Sequence, residues 1–173
     1  MAILPIIVAP DPRLKIKSKA VDKVDDRVRK LMEDMIESMY AAPGVGLSAV
    51  QVGVPERIIV IDVSKDPDPP EPVRIVNPEI VKASEEIGLA EEGCLSLPEY
   101  FADVERPMRV EVRYVDENGE IRTIEAEGLL ATVLQHEMDH LEGILFVDHL
   151  STIKRNIILR KLAKAKRLQA AGE

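Results

Sequence analysis

The residues best equipped for chemistry are His136-Glu137-Met138-Asp139-His140. On a helix, side chains four positions apart lie one turn above each other, so both imidazoles project from one face toward a shared metal. Glu137 sits beside the first histidine, where its carboxylate can reach a metal-activated water without coordinating, which suits a proton carrier. A catalytic site of this kind uses three protein ligands and keeps one position open. Of the three histidines, His149 lies beyond Gly143 and off the shared face, so a structural or surface role is expected for it. The third ligand must come from an Asp, Glu or Cys elsewhere. Cys94 is the only cysteine, and read alone it is as well explained as a small buried apolar residue.

These side chains need a helix, and Gly128 to Glu142 supplies one, with Gly143 as its C-terminal stop. Leu129 and Val133 precede His136 on the same face as an apolar wall, while Leu130, Leu134, Met138 and Leu141 form the adjoining stripe. The helix is therefore expected to be buried, and a buried Glu137 needs a compensating partner such as a metal or its water. Earlier, Val28, Leu31, Met32, Met35, Ile36 and Met39 recur at helical spacing, which predicts an amphipathic helix with a methionine-rich core face. Ala42-Pro43-Gly44-Val45-Gly46 stops it.

Arg57 to Val63 reads as a buried β-branched strand, and Arg74-Ile75-Val76 and Ile80-Val81 as further strand pieces. The proline-rich run from Asp66 to Pro72 between them reads as a solvated loop. Alternating runs on either side of Asn118-Gly119 predict a hairpin, and Ser151 is a suitable N-cap for a last helix over 152–168. The expected fold class is α+β: mixed or antiparallel sheets packed around a central metal-binding helix, with a C-terminal helix.

The chain has 173 residues, which fits one catalytic domain over 1–173, with residues 151–173 as a basic C-terminal helix. A formal net charge of −8 argues against nucleic-acid binding through the whole surface. One cysteine rules out an intramolecular disulfide. The N-terminus lacks the basic lead of a signal peptide, and no apolar run approaches the ~20 residues that span a bilayer. A cytoplasmic location without membrane attachment is expected.

Three segments occur in a telling order: Gly44-Val45-Gly46-Leu47-Ser48-Ala49-Val50-Gln51, Glu92-Gly93-Cys94-Leu95-Ser96 and Gln135-His136-Glu137-Met138-Asp139-His140-Leu141-Glu142-Gly143. Together they resemble the signature segments of the bacterial peptide deformylases. The similarity runs from Pro10-Asp11-Pro12-Arg13-Leu14 to Leu145-Phe146-Val147-Asp148, with Ser48 standing where the family commonly has alanine. The resemblance implies a hydrolase that removes the formyl group from N-formylmethionyl nascent peptides and releases formate, a metal-activated water attacking the formyl carbonyl. It assigns Cys94, His136 and His140 as metal ligands and Glu137 as general base and acid. Gln51 and the backbone N–H of Leu95 become the oxyanion donors. Val45, Gly46, Leu129 and Val133 fall where the family holds substrate, Gly46 through its backbone.

One thiolate and two imidazoles suit a single divalent metal, and Zn2+, Fe2+, Ni2+ and Co2+ all fit. The resemblance implies Fe2+ in the cell, with zinc, nickel or cobalt possible in a purified sample. The run from Lys154 to Arg167 carries seven basic residues and no acid: Lys154, Arg155, Arg160, Lys161, Lys164, Lys166 and Arg167. It reads as a solvated face opposite Ile153, Ile157, Ile158, Leu162 and Ala165, or, on the resemblance, as a docking element for the ribosome. A monomer is expected. Two rival readings share the helix motif: a metallopeptidase, which usually draws its third ligand from Glu, His or Asp, and a non-catalytic metal module, which usually has four protein ligands.

Overall fold

The computed structural model describes residues 2–64 and 69–172. Asp66, Pro67 and Asp68 of the expected proline-rich loop lie outside the described residues.

The first helix, α1 (Asp26–Ala41), begins where the Asp25 carboxylate accepts the Val28 N–H. Its apolar stripe is the one expected from the sequence, and Val28, Met32, Met35 and Met39 are fully buried. The main sheet has five strands in the order β1 (Gly46–Ser48), β2 (Ile58–Ile61), β3 (Val73–Ala83), β6 (Arg109–Val115) and β7 (Ile121–Glu127). Every pairing in it is antiparallel. The strand pieces seen at 74–76 and 80–81 are one strand, interrupted where Asn77 turns to a positive φ of 51° and the register with β6 shifts. Gly119 takes the positive φ of 79° that the tight turn between β6 and β7 demands.

Because side chains alternate across a strand, the continuous apolar run of β2 serves two layers. Ile58 and Val60 pack with α1, whereas Ile59 and Ile61 pack with the late helix α2 (Gly128–Leu141). The α2 helix leaves the end of β7 directly and stops at Gly143. Glycine is required there on two counts: φ is +75°, and a Cβ would lie 2.4 Å from the Lys15 carbonyl oxygen.

A separate two-stranded ribbon, β4 (Ile87–Cys94) and β5 (Leu97–Pro107), was not legible as a hairpin in the sequence. It stands against a third apolar cluster that includes Leu14, Leu97, Val104, Phe146 and Leu162. The last helix, α3 (Thr152–Ala171), starts at Ser151, whose hydroxyl accepts the Lys154 N–H. Its docking face is narrower than the sequence suggested. Ile158, Leu159 and Leu162 meet the body, while Ile153 is 74% exposed and Ile157 44% exposed. No helix among the described residues is long and apolar enough to cross a membrane.

The two faces of the sheet should be separable by mutation. Met35→Ala, on the α1 side, is expected to lower unfolding free energy by about 2–5 kcal/mol in urea titrations. Because α2 lies on the opposite side, metal affinity measured under native conditions should be unchanged.

Candidate metal centre and active site

Three elements converge at one end of the cleft. The helix α2 brings His136 and His140, the tip of the β4–β5 ribbon brings Cys94, and the segment just after β1 brings Gln51. The Cys94 Sγ lies 3.3 Å from His140 Nε2, and the nearest ligand atoms of Cys94, His136 and His140 all lie within 4.8 Å of one another. Two ligands of a tetrahedral ion with typical Zn–S and Zn–N bonds would be about 3.5 Å apart. The donor set therefore fits a divalent metal in kind and in spacing. Among the described residues, these three form the only such group of metal-ligating side chains.

The imidazole of His136 is held from behind. Its Nδ1 lies 3.0 Å from Glu92 Oε1, which leaves Nε2 for the cluster. Glu92 in turn receives two hydrogen bonds from Arg106, at 2.6 and 2.9 Å, and Arg106 also donates to Asp139 at 2.9 Å. This run of hydrogen bonds ends at His149, whose Nε2 is 2.8 Å from the same Asp139 oxygen. His149 is thus a structural partner, as its position off the ligand face suggested. Glu92, Arg106 and Asp139 were not singled out by the sequence reading. Burial alone would raise the Glu92 carboxyl, but hydrogen bonds from Arg106 and His136 reverse this and hold it at about 2.

Burial also disfavours the charged form of His136, yet contacts with Cys94 and Glu92 and the charge of Glu137 outweigh it and raise its pKa well above the usual value. His140 goes the other way: burial, then repulsion from His136, push it well below. Ligation requires each ring to offer a nitrogen lone pair, so protonation of His136 and metal uptake oppose each other.

Glu137 is 4% exposed, and its Oε1 is buried with no hydrogen-bond partner. Burial pushes its carboxyl up to about 7, opposed by the charge of His136 and reinforced by that of Glu92. The reason for glycine at position 46 is also visible. A Cβ there would stand 2.7 Å from Glu137 Oε2 and 2.8 Å from a Val133 methyl. Gly46, expected to meet substrate through its backbone, therefore also answers a packing requirement that the sequence does not reveal.

Gln51 is buried, with Nε2 3.0 Å from Ser96 Oγ and 3.6 Å from Cys94 Sγ. Val45, Gly46, Leu95, Leu129 and Val133 line the same cleft, of about 670 Å³, together with His136 and Glu137. Val133 is buried, whereas Val45 and Leu129 stand on the exposed rim. All ten residues named from the sequence are therefore brought to one region. Phe101 and Thr132 also line it and were not anticipated.

The profile of the polypeptide deformylase family matches residues 3–156. The chain belongs to that family. It is 52% identical to the peptide deformylase of Agrobacterium fabrum, over 96% of this chain and 98% of that protein. It is also similar to two solved peptide deformylase structures. That from Ehrlichia chaffeensis, in complex with actinonin, superposes with a TM-score of 0.92 at 46% identity, covering 96% of this chain and 99% of that one. That from Legionella pneumophila gives 0.90 at 47% identity and 98% coverage of each chain. The chain is accordingly a deformylase-family hydrolase of α+β fold, and formyl removal is the activity of the family.

The Glu92–Arg106 pair generates a pH signature. Glu92 sits near 2 in the folded protein, below the ordinary value of 4.5, so the unfolded chain binds its proton first as the solution is acidified. Its contribution to stability should be complete above about pH 4.5 and lost as pH falls toward 2. Urea midpoints of Glu92→Gln should show a shallower acid decline than the parent. The same variant should bind metal about ten- to a hundredfold more weakly in competition titrations.

Proposed function

We propose that this chain removes the N-formyl group from N-formylmethionyl peptides at the start of new proteins and releases formate, within a single catalytic domain over residues 1–173. The observation that carries the reading is the meeting of Cys94, His136 and His140 beside a buried Glu137 oxygen that has no hydrogen-bond partner. Cys94, His136 and His140 would hold one divalent metal, Fe2+ in the cell, with Zn2+, Ni2+ or Co2+ accepted by the same donors. Such an ion, when bound, supplies Lewis acidity toward water and the formyl carbonyl.

Glu137 takes the proton of the attacking water and returns it to the departing amine. A carboxyl raised to about 7 is suited to both steps near neutral pH. The Gln51 amide and the Leu95 backbone N–H donate to the carbonyl oxygen as negative charge gathers there, each contributing ~3–4 kcal/mol. Val45, Leu129 and Val133 offer an apolar wall to the unbranched methionine side chain, and Gly46 holds the peptide through its backbone. Apolar discrimination of this sort is modest, ~1–3 kcal/mol per methylene. The enzyme works as a cytoplasmic monomer and docks on ribosomal RNA through the basic residues of α3.

Formate release from formyl-Met-Ala-Ser under anaerobic conditions tests the reaction. Hydrolysis of the unblocked peptide instead would turn the assignment into a metallopeptidase. Glu137→Ala should keep its metal while turnover falls by ~10²–10⁴. Cys94→Ala should lose metal affinity itself, and equal metal loss in both variants would sink the separate roles. Removing α3 should abolish salt-sensitive co-sedimentation with ribosomes; association that is unchanged and indifferent to salt would remove the docking element.

A further inference from the structure

One side-chain amide in the cleft, that of Gln51, is held at both its oxygen and its nitrogen. Gln51 Oε1 accepts two hydrogen bonds from a single residue, the Ser48 backbone N–H at 3.0 Å and the Ser48 hydroxyl at 3.0 Å. On the other side Nε2 donates to Ser96 Oγ at 3.0 Å and lies 3.6 Å from Cys94 Sγ. A primary amide has two acceptor sites on its oxygen and two N–H bonds. Ser48 fills both acceptor sites and Ser96 takes one N–H. The remaining N–H is turned toward Cys94, the side of the cleft where the ligand cluster lies.

The two contacts from Ser48 do different work. The backbone N–H sets the sense of the amide, because the reversed amide would face it donor to donor. A hydroxyl can rotate, so it does not select the sense. It occupies the second acceptor site at a position where Ser48 is fully buried and Gln51 is 1% exposed, and where water offers no easy substitute. With both sites filled, the terminal torsion of Gln51, which is otherwise broad, is narrowed.

We propose that Ser48 is a positioning residue for deformylation: its backbone N–H sets the sense of the Gln51 amide and its hydroxyl narrows the torsion, so that an N–H is kept facing the reacting carbonyl oxygen beside Cys94. This rests on the reading of Gln51 as an oxygen donor. Ser48→Ala removes only the hydroxyl and leaves the backbone pairing of Ser48 with Ile59 in place.

The test compares Ser48→Ala, Gln51→Ala and the double variant, each loaded with zinc and checked for equal metal content. Ser48→Ala should lower kcat about two- to tenfold, the equivalent of one hydrogen bond, with KM little changed. Its Gln51 side-chain amide protons should exchange with water faster than in the parent, a readout that does not depend on turnover. In the Gln51→Ala background the same substitution should have no further effect on kcat. An unchanged kcat in Ser48→Ala, alongside a collapse in Gln51→Ala, would overturn the role of Ser48 alone. An equal loss from Ser48→Ala in both backgrounds would also overturn it, since Ser48 would then act through another group. Parent-like turnover in Gln51→Ala would remove the donor reading beneath it.

Discussion

The structure depends above all on how it keeps charge inside. Glu92, Arg106, His136 and Glu137 are each no more than 7% exposed, and isolated ions are costly at such depth. Glu92 and Arg106 solve this by pairing through two hydrogen bonds, which Asp139 and His136 extend. Glu137 does not join that pairing: its Oε1 has no hydrogen-bond partner, and its carboxyl is pushed toward neutrality instead. The same buried helix thus carries one carboxyl without hydrogen-bond partners and, beside it, one imidazole fixed by them. Environment alone separates the two, since they occupy adjacent positions on α2.

Close packing supports that electrostatic arrangement. The α2 helix can approach β1 only because residue 46 has no side chain, and the Glu137 carboxylate and Val133 fill the space. The sheet beneath is apolar on both faces, with the alternating side chains of β2 feeding α1 and α2. A rigid double-sided sheet is a good mount for side chains that must hold sub-ångström positions, because regular elements are more exact supports than loops.

Local features of the site were legible in the sequence, and non-local ones were not. Spacing alone put His136 and His140 on one helical face, and the apolar neighbours of the motif announced burial before any coordinates. The methionine stripe of α1 and the turn at Asn118-Gly119 were readable for the same reason: each signal lies within one element. The third ligand needed the family resemblance, since nothing near Cys94 ties it to residues some forty positions later. Glu92 and Arg106 stayed hidden because their partnership is created by the pairing of β4 with β5 and by the docking of that ribbon on α2. The α3 helix shows the converse failure. Its isoleucines suggested a broad apolar face, but the body covers only the portion around Ile158, Leu159 and Leu162, so Ile153 and Ile157 remain outside.

The β4–β5 ribbon forms a sheet of its own, and a two-stranded hairpin is at best marginally stable when isolated. Its tip nevertheless delivers the sulfur, while the Arg106 guanidinium farther along the ribbon fastens it to Asp139 on α2. The thiol is therefore placed by an arm clasped twice, since Glu92, two residues before Cys94, also reaches the His136 ring. A tilt of the arm that displaced the sulfur would pull on that imidazole as well, so the two move as one piece. The bite of the donor atoms is accordingly open to adjustment from Arg106 and Asp139, which are not among them.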